Sequence, residues 1–248
     1  MSELVAVERH GPACVLRLQR ERKLNAISTE VEGELIAALG RPELKEAACV
    51  VITGSARAFS AGADLSEIRG QGPEWIHSYY LATGEFAERI ADLPQPTFAA
   101  ISGWCLGGGF ELALATDFRI AEETATFGLP EVSLGINPSS GGTHRLVRIV
   151  GPARAKELIL LRDRLDAAEA HRLGVVTEIV PEGQALDRTL EHCRRLAELP
   201  QLAVQITGRT IDAAAEGSRR TALELERLAY MALSQTLEPS TEAQRCRR

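Results

Sequence analysis

The chain has 248 residues, 45% of them apolar and 25% charged, with a formal net charge of −6 and a pI near 5.5. That length buries one large core, or one core plus a helical appendage. The acidic balance argues against nucleic acid as the main partner, because neutralising phosphates needs a net basic face. Cys14, Cys49, Cys105, Cys193 and Cys246 are odd in number and scattered, which predicts a reducing compartment and no disulfide framework. No apolar run approaches the roughly 18 residues of a spanning helix, and Met1 to His10 does not read as a targeting peptide. A cytoplasmic protein with no membrane partner is expected.

In chain order, Leu4–Arg9 and Ala13–Gln19 alternate apolar and polar residues about His10-Gly11-Pro12, which predicts a hairpin. Ser28 is placed to cap a helix running to about Leu39, with Glu30, Glu32 and Glu34 near its positive end. Ala48–Thr53 reads as a buried strand, and a loop is expected after it. A single helical stretch is predicted from about Pro73 to Ala91, ending before Pro94 and Pro96. Thr97–Ser102 is again a buried strand, Gly107–Ala115 a helix, and Asp117–Ala121 and Ala125–Phe127 short strands. Helical patterns fill 139–173 with an interruption at Gly151-Pro152, and Val175–Val180 is one more strand. After about residue 184 only helical patterns follow, divided by Pro200 and Gly217. The expected organisation is an α/β core over 1–183 and a helical region over 184–248.

The segment from Ile101 to Ala121 carries the strongest chemical signal. A strand runs through Gly103 into Gly107-Gly108-Gly109, and helix-forming residues follow at once. Glycines there let a ligand approach the backbone, and the free N–H groups of a helix start favour negative charge. A tight strand-to-helix turn is the competing reading. A phosphate loop fits poorly, since neither Gly-Lys-Ser/Thr nor G-x-G-x-x-G is present. Glu111 falls on the first turn, ahead of the uncharged Leu112–Ala115. It serves either the helix dipole or acid/base chemistry in a partly dry site. A second carboxylate, Glu131, closes Phe127-Gly-Leu-Pro-Glu131 and has apolar residues beyond it.

A third segment, Ala58 to Leu65, sets Gly62 between the small Ala61 and Ala63, leaving N–H groups accessible. Its Ala58-x-Ser60-x-Gly62 is superficially like a nucleophile elbow but lacks the first glycine. None of His10, His77, His144, His171 and His192 stands in a triad or metal-ligand pattern. His144 is read as a surface or wall residue. Trp75, Tyr79 and Tyr80 read as core residues at helical spacing, with the wall of an acyl pocket as the alternative.

Taken together, these segments resemble the crotonase superfamily, the enoyl-CoA hydratase/isomerase family. The likeness begins at Arg22–Ile27 and continues through Ala58–Leu65, Gly107–Ala113 with Thr116–Ala121, Phe127–Gly135 and Ser140–Leu146. It implies an α/β, crotonase-like core of repeated ββα units with a C-terminal all-helical trimerisation region. It also implies a homotrimer or a dimer of trimers. By motif position, an oxyanion hole falls on the N–H groups of Ala63 and Gly108. Glu111 and Glu131 become the catalytic carboxylates of a hydratase acting on a 2-enoyl-CoA. Lys23, Leu24, Ala26, Ala61, Asp64, Leu65 and Gly107 become substrate-binding positions. Coenzyme A enters as part of the substrate, and neither metal nor redox cofactor is expected. Another reaction of the family, isomerisation or thioester hydrolysis, remains an alternative, as does a non-catalytic CoA-ester-binding protein. Ser66 stands where many hydratases carry a lysine, and the tail from Glu238 lacks the family's usual terminal signals.

Overall fold

The computed structural model describes residues 3–82, 84–162 and 164–236. Cys246, the basic end of the chain and the tail from Glu238 lie outside the described residues. Strands β1 (Val5–His10) and β2 (Ala13–Leu18) form the expected hairpin, Val5 opposite Leu18. A 3-10 turn at Glu21–Lys23 leads to helix α1 (Thr29–Leu39), where Ser28 accepts the Val31 N–H at 3.3 Å. Next come α2 (Pro42–Lys45), β3 (Cys49–Thr53), β4 (Ala58–Ser60), α3 (Leu65–Ile68), α4 (Pro73–Ala82) and α5 (Glu85–Ala91). The middle of the chain supplies β5 (Thr97–Ile101), β6 (Trp104–Leu106), α6 (Gly108–Leu114), β7 (Phe118–Glu122) and β8 (Thr126–Gly128). A 3-10 turn at Pro130–Leu134 precedes α7 (Gly142–Val150), α8 (Pro152–Leu160), β9 (Leu165–Asp166), α9 (Ala167–Arg172) and β10 (Glu178–Val180). Helices α10 (Ala185–Ala197), α11 (Gln201–Glu216) and α12 (Arg219–Ser234) follow.

Two sheets result. The larger runs β1-β2-β3-β5-β7-β10 and is parallel from β2 onward; the smaller runs β4-β6-β8-β9. Each consecutive strand pair, β3/β4, β5/β6 and β7/β8, gives its first member to the large sheet and its second to the small one. This is a repeated ββα spiral. Because β3 and β5 are covered on both faces, they read as unbroken apolar runs rather than alternating ones. Leu16, Ile52, Phe59, Phe110, Leu112 and Phe127 belong to the main core. On the other face of the large sheet, Val15, Val51, Phe98 and Ile120 pack with Leu190 and Cys193 of α10.

Helices α11 and α12 pair with each other and bury none of their residues. Among the described residues no helix is long and apolar enough to cross a membrane.

Two expectations are corrected. The stretch 73–91 is not one helix but α4 and α5, because Gly84 adopts φ +90° and its N–H is taken by Glu32 rather than by a helical carbonyl. The loop expected after β3 and the turn before Gly107 contain β4 and β6. Three-residue strands are too short to display a period of two.

Candidate active site

The site lies where the spiral's small-sheet strands end. Ala61–Ala63 leave β4, Gly107–Gly108 leave β6, and Pro130–Glu131 leave β8. The three ends meet on one cavity of about 140 Å³, whose walls include Ile27, Ala63, Gly108, Glu111, Glu131 and Ile136. Helices α4 and α5 close another side with Tyr79, Tyr80 and Phe86.

Close packing makes this convergence possible. The β4 exit is pinned by Ile27 N–H to Gly62 O at 2.8 Å and Asp64 N–H to Ile27 O at 2.9 Å. A Cβ on Gly108 would sit 3.7 Å from the Ala63 nitrogen, so the two backbones run side by side. Among the described residues no acceptor meets the Ala63 or Gly108 N–H. Gly107 has φ +51°, and any Cβ there would stand 3.1 Å from Glu131 Oε1. The turn therefore needs glycine both for its backbone and for the carboxylate that approaches it.

The two carboxylates differ in their surroundings. Glu111 is 2% exposed, and its Oε1 accepts the N–H groups of Ser140 at 2.7 Å and Gly142 at 2.9 Å. Burial raises its pKa, while those N–H groups, that of Ser139 and the charge of Arg145 pull it back. Arg145 holds that cradle in place, donating to Ser140 O at 3.0 Å and pairing with Glu88 at 2.8 Å. Glu131 is also buried, but its Oε2 has no hydrogen-bond partner among the described residues. Burial, with the Glu111 charge adding to it, pushes its pKa up to about 7. The two carboxyl groups thus face one cavity from unlike surroundings, Glu111 held by backbone N–H groups and Glu131 with an unpartnered oxygen among the described residues.

Helix α6, which carries Gly108 and Glu111, is held at its far end by buried Arg119, which donates to the carbonyls of Ala113, Thr116 and Val175. Behind the site, Asp64 is buried and pairs with Arg20 at 2.7 Å. Burial alone would raise its pKa, yet hydrogen bonds from Ser66 and Arg20 hold it down to about 2.

The sequence-predicted positions divide. Ala61, Ala63, Leu65, Gly107, Gly108, Glu111 and Glu131 all line the cavity. Lys23, Leu24, Ala26 and Asp64 do not line it but stand beside it. Lys23 Nζ lies 3.9 Å from Asp64, and Leu24 O accepts the Ala61 N–H at 2.9 Å. Ser66, where a lysine was expected, is spent on Asp64, donating from both its N–H and its hydroxyl. Ser60 is fully buried and accepts the Gly62 N–H at 3.2 Å, so it is not presented as a nucleophile. His144 is exposed. Tyr79 and Tyr80 are cavity wall rather than core, with Trp75 stacked on Tyr79 at 5.1 Å.

One lining residue was read differently from sequence. The sequence places Glu32 as a dipole partner at the start of α1, whereas the structure turns it inward, buried, onto the cavity. The available signal was its place between Val31 and Leu35, on the apolar face of α1.

Comparison with known proteins supplies independent observations. A family model described as Enoyl-CoA hydratase/isomerase matches residues 8–243. A Rhizobium meliloti protein named "Probable enoyl-CoA hydratase" is 37% identical over 94% of this chain and 91% of its own length. The 2,3-dehydroadipyl-CoA hydratase of Escherichia coli is 33% identical over 95% of this chain and 92% of its own. The crystal structure of enoyl-CoA hydratase from Bacillus anthracis superposes with a TM-score of 0.88 at 35% identity, covering 94% of this chain and 91% of that one.

Proposed function

The chain belongs to the enoyl-CoA hydratase/isomerase family, and we propose that it adds water reversibly across the 2,3 double bond of a 2-enoyl-CoA to give a 3-hydroxyacyl-CoA. The observation that carries this reading is the convergence of two carboxyl groups of unlike environment on one cavity beside two unengaged N–H groups.

The thioester oxygen sits between the Ala63 and Gly108 N–H groups. As water attacks, charge moves onto that oxygen, and fixed donors stabilise it without reorganising; each such donor lowers a barrier by about 3 kcal/mol. Glu111, whose N–H cradle opposes the rise that burial imposes on its pKa, takes a proton from water as the oxygen bonds to the β-carbon. Glu131, neutral up to about pH 7, delivers its proton to the α-carbon. The pair begins and ends with one proton, now on the other member, and exchange with solvent resets it. Dehydration is the same path reversed. Coenzyme A passes along Leu24, Ala26, Ala61 and Leu65, with Lys23 at its phosphates and Asp64 fixing the turn that presents Ala63. No metal or redox cofactor enters this scheme.

One polar feature favours hydration over a binding-only role. A binder gains nothing from Glu131 Oε2, a buried acceptor with no partner, since such a group costs stability. A substrate water would satisfy it. The apolar side chains left exposed on α11 and α12, among them Leu202, Ile211, Leu228 and Met231, are read as contacts between copies in a homotrimer or a dimer of trimers. Sedimentation should then give about three or six times the 26.8 kDa chain mass. The enzymatic test is loss of the conjugated enoyl-thioester absorbance with crotonyl-CoA and longer 2-enoyl-CoAs. Turnover of at least one is expected; a folded protein inert toward all of them would end the hydratase reading.

A further inference from the structure

The scheme above uses two of the three carboxyl groups that line the cavity. The third, Glu32, is 6% exposed and comes from α1, far in sequence from the other two. Its Oε1 accepts the Gly84 N–H at 2.6 Å, and the Glu85 and Phe86 N–H groups also face it. We propose that Glu32 is a specificity-determining residue, which admits uncharged enoyl chains and turns away those ending in a carboxylate.

This assignment rests on the hydratase reading, in which the acyl chain lies against the cavity wall. Among the described lining residues there is no Arg, Lys or His. Ile27, Ile68, Tyr79, Tyr80 and Phe86 present apolar surface that an alkyl or alkenyl chain covers with gain. A terminal carboxylate would shed its hydration in this cavity and find no cation to replace it. It would also enter a space already flanked by the carboxyl groups of Glu32 and Glu111. Like charges at short range in a poorly hydrated site are strongly unfavourable.

Glu32 differs from the other two in having no part in the chemistry, so its charge is free to act on selection alone. Burial raises its pKa, and the N–H groups of Gly84, Phe86 and Glu85 pull it back toward the ionised form. Its field reaches the acyl wall: burial first, then the charges of Glu67 and Glu32, push the Tyr79 phenol up to about 12.

Two six-carbon substrates separate the effect of charge from that of length. One is trans-2-hexenoyl-CoA; the other is 2,3-dehydroadipyl-CoA, which replaces the terminal methyl with a carboxylate and for which the E. coli relative is named. The wild type is expected to prefer hexenoyl-CoA in kcat/KM by at least about a hundredfold, the scale of a buried like-charge contact. Glu32→Gln keeps an oxygen for the Gly84 N–H and removes the charge. It should narrow that preference at least about tenfold, mainly through the KM of the dicarboxylic substrate. Glu32→Asn serves the same purpose if the glutamine variant does not fold. Equal use of both substrates by the wild type, or an unchanged preference in the neutral variants, would overturn the assignment. An enzyme inert toward both substrates and toward crotonyl-CoA would instead overturn the hydratase reading, and this inference with it.

Discussion

The cavity has two walls made in different ways. One is built from the ends of β4, β6 and β8, and it holds Ala63, Gly107, Gly108 and Glu131, with Glu111 one turn into α6. The other is built from α4 and α5 and presents Tyr79, Tyr80 and Phe86. In the first wall the backbone fixes everything: glycines meet carboxylates at contact distance, and Glu111 is held by N–H groups rather than by mobile side chains. In the second, side chains stand on short helices interrupted at Gly84, and Trp75 on the rim is partly exposed. The difference teaches that, on the proposed mechanism, the reaction is anchored on the spiral itself. The acyl chain would then meet the α4–α5 wall, whose side chains can change without disturbing that anchor.

Substitutions on the strand-end wall should therefore cost the most. Glu111→Gln and Glu131→Gln are each expected to lower kcat for crotonyl-CoA hydration at least about a hundredfold, while isothermal titration shows coenzyme A binding within a few-fold of wild type. Near-normal turnover in either variant would dissolve the distinction between the walls.

The next effect is on stability and reads the raised Glu131 pKa without any reference to turnover. The group's pKa is about 7 when folded against 4.5 ordinarily, so the folded state binds the proton more tightly. Below about pH 4 both states are protonated and there is no penalty; as pH rises through 7 the folded protein bears an ionised, unpartnered carboxylate. Glu131→Gln should thus stabilise by about 2–3 kcal/mol at pH 8 and by almost nothing at pH 4, checked by denaturant titration at both values. Equal effects at the two pH values would mean that the wall does not hold Glu131 as described.

A smaller loss tests the cradle. A Cβ on Gly142 would lie 2.7 Å from Glu111 Cγ, so Gly142→Ala must displace the carboxylate, and a loss of about thirtyfold in kcat is expected. The smallest effect belongs to the helical wall. Tyr79→Phe should leave kcat within about threefold and shift KM, more for long enoyl chains than for crotonyl-CoA. A kcat collapse there would place chemistry on the wrong wall.

How much of this was legible in the sequence follows the same division. The strand-end wall announces itself because each of its parts is local: the glycine run, the carboxylate after an apolar helix start, and Pro130-Glu131 are all contiguous in the chain. Their meeting is a tertiary fact, and the family resemblance supplied it in advance. The small sheet was missed because β4 and β6 have three residues each and are paired only through neighbours distant in sequence. The helix break at Gly84 was missed because an isolated glycine is tolerated within a helical pattern; what stops the helix is Glu32, 52 residues away. Glu32 itself looked like one of three acidic residues at a helix start, and only packing against α5 shows which one turns inward. Tyr79 and Tyr80 were ambiguous for a similar reason, since core and pocket wall share one helical spacing.

The account's central claim is that Glu111 and Glu131 act as one unit on one proton. Its most direct test is kcat for crotonyl-CoA hydration in the Glu111→Gln/Glu131→Gln double variant, set against the two single variants. Groups that act together are not additive. The double variant should lose no more than about threefold beyond the weaker single variant, although each single change costs at least about a hundredfold. If instead the two losses multiply, or if either single variant keeps more than about a tenth of wild-type turnover, the carboxylates work independently and the shared-proton mechanism is wrong.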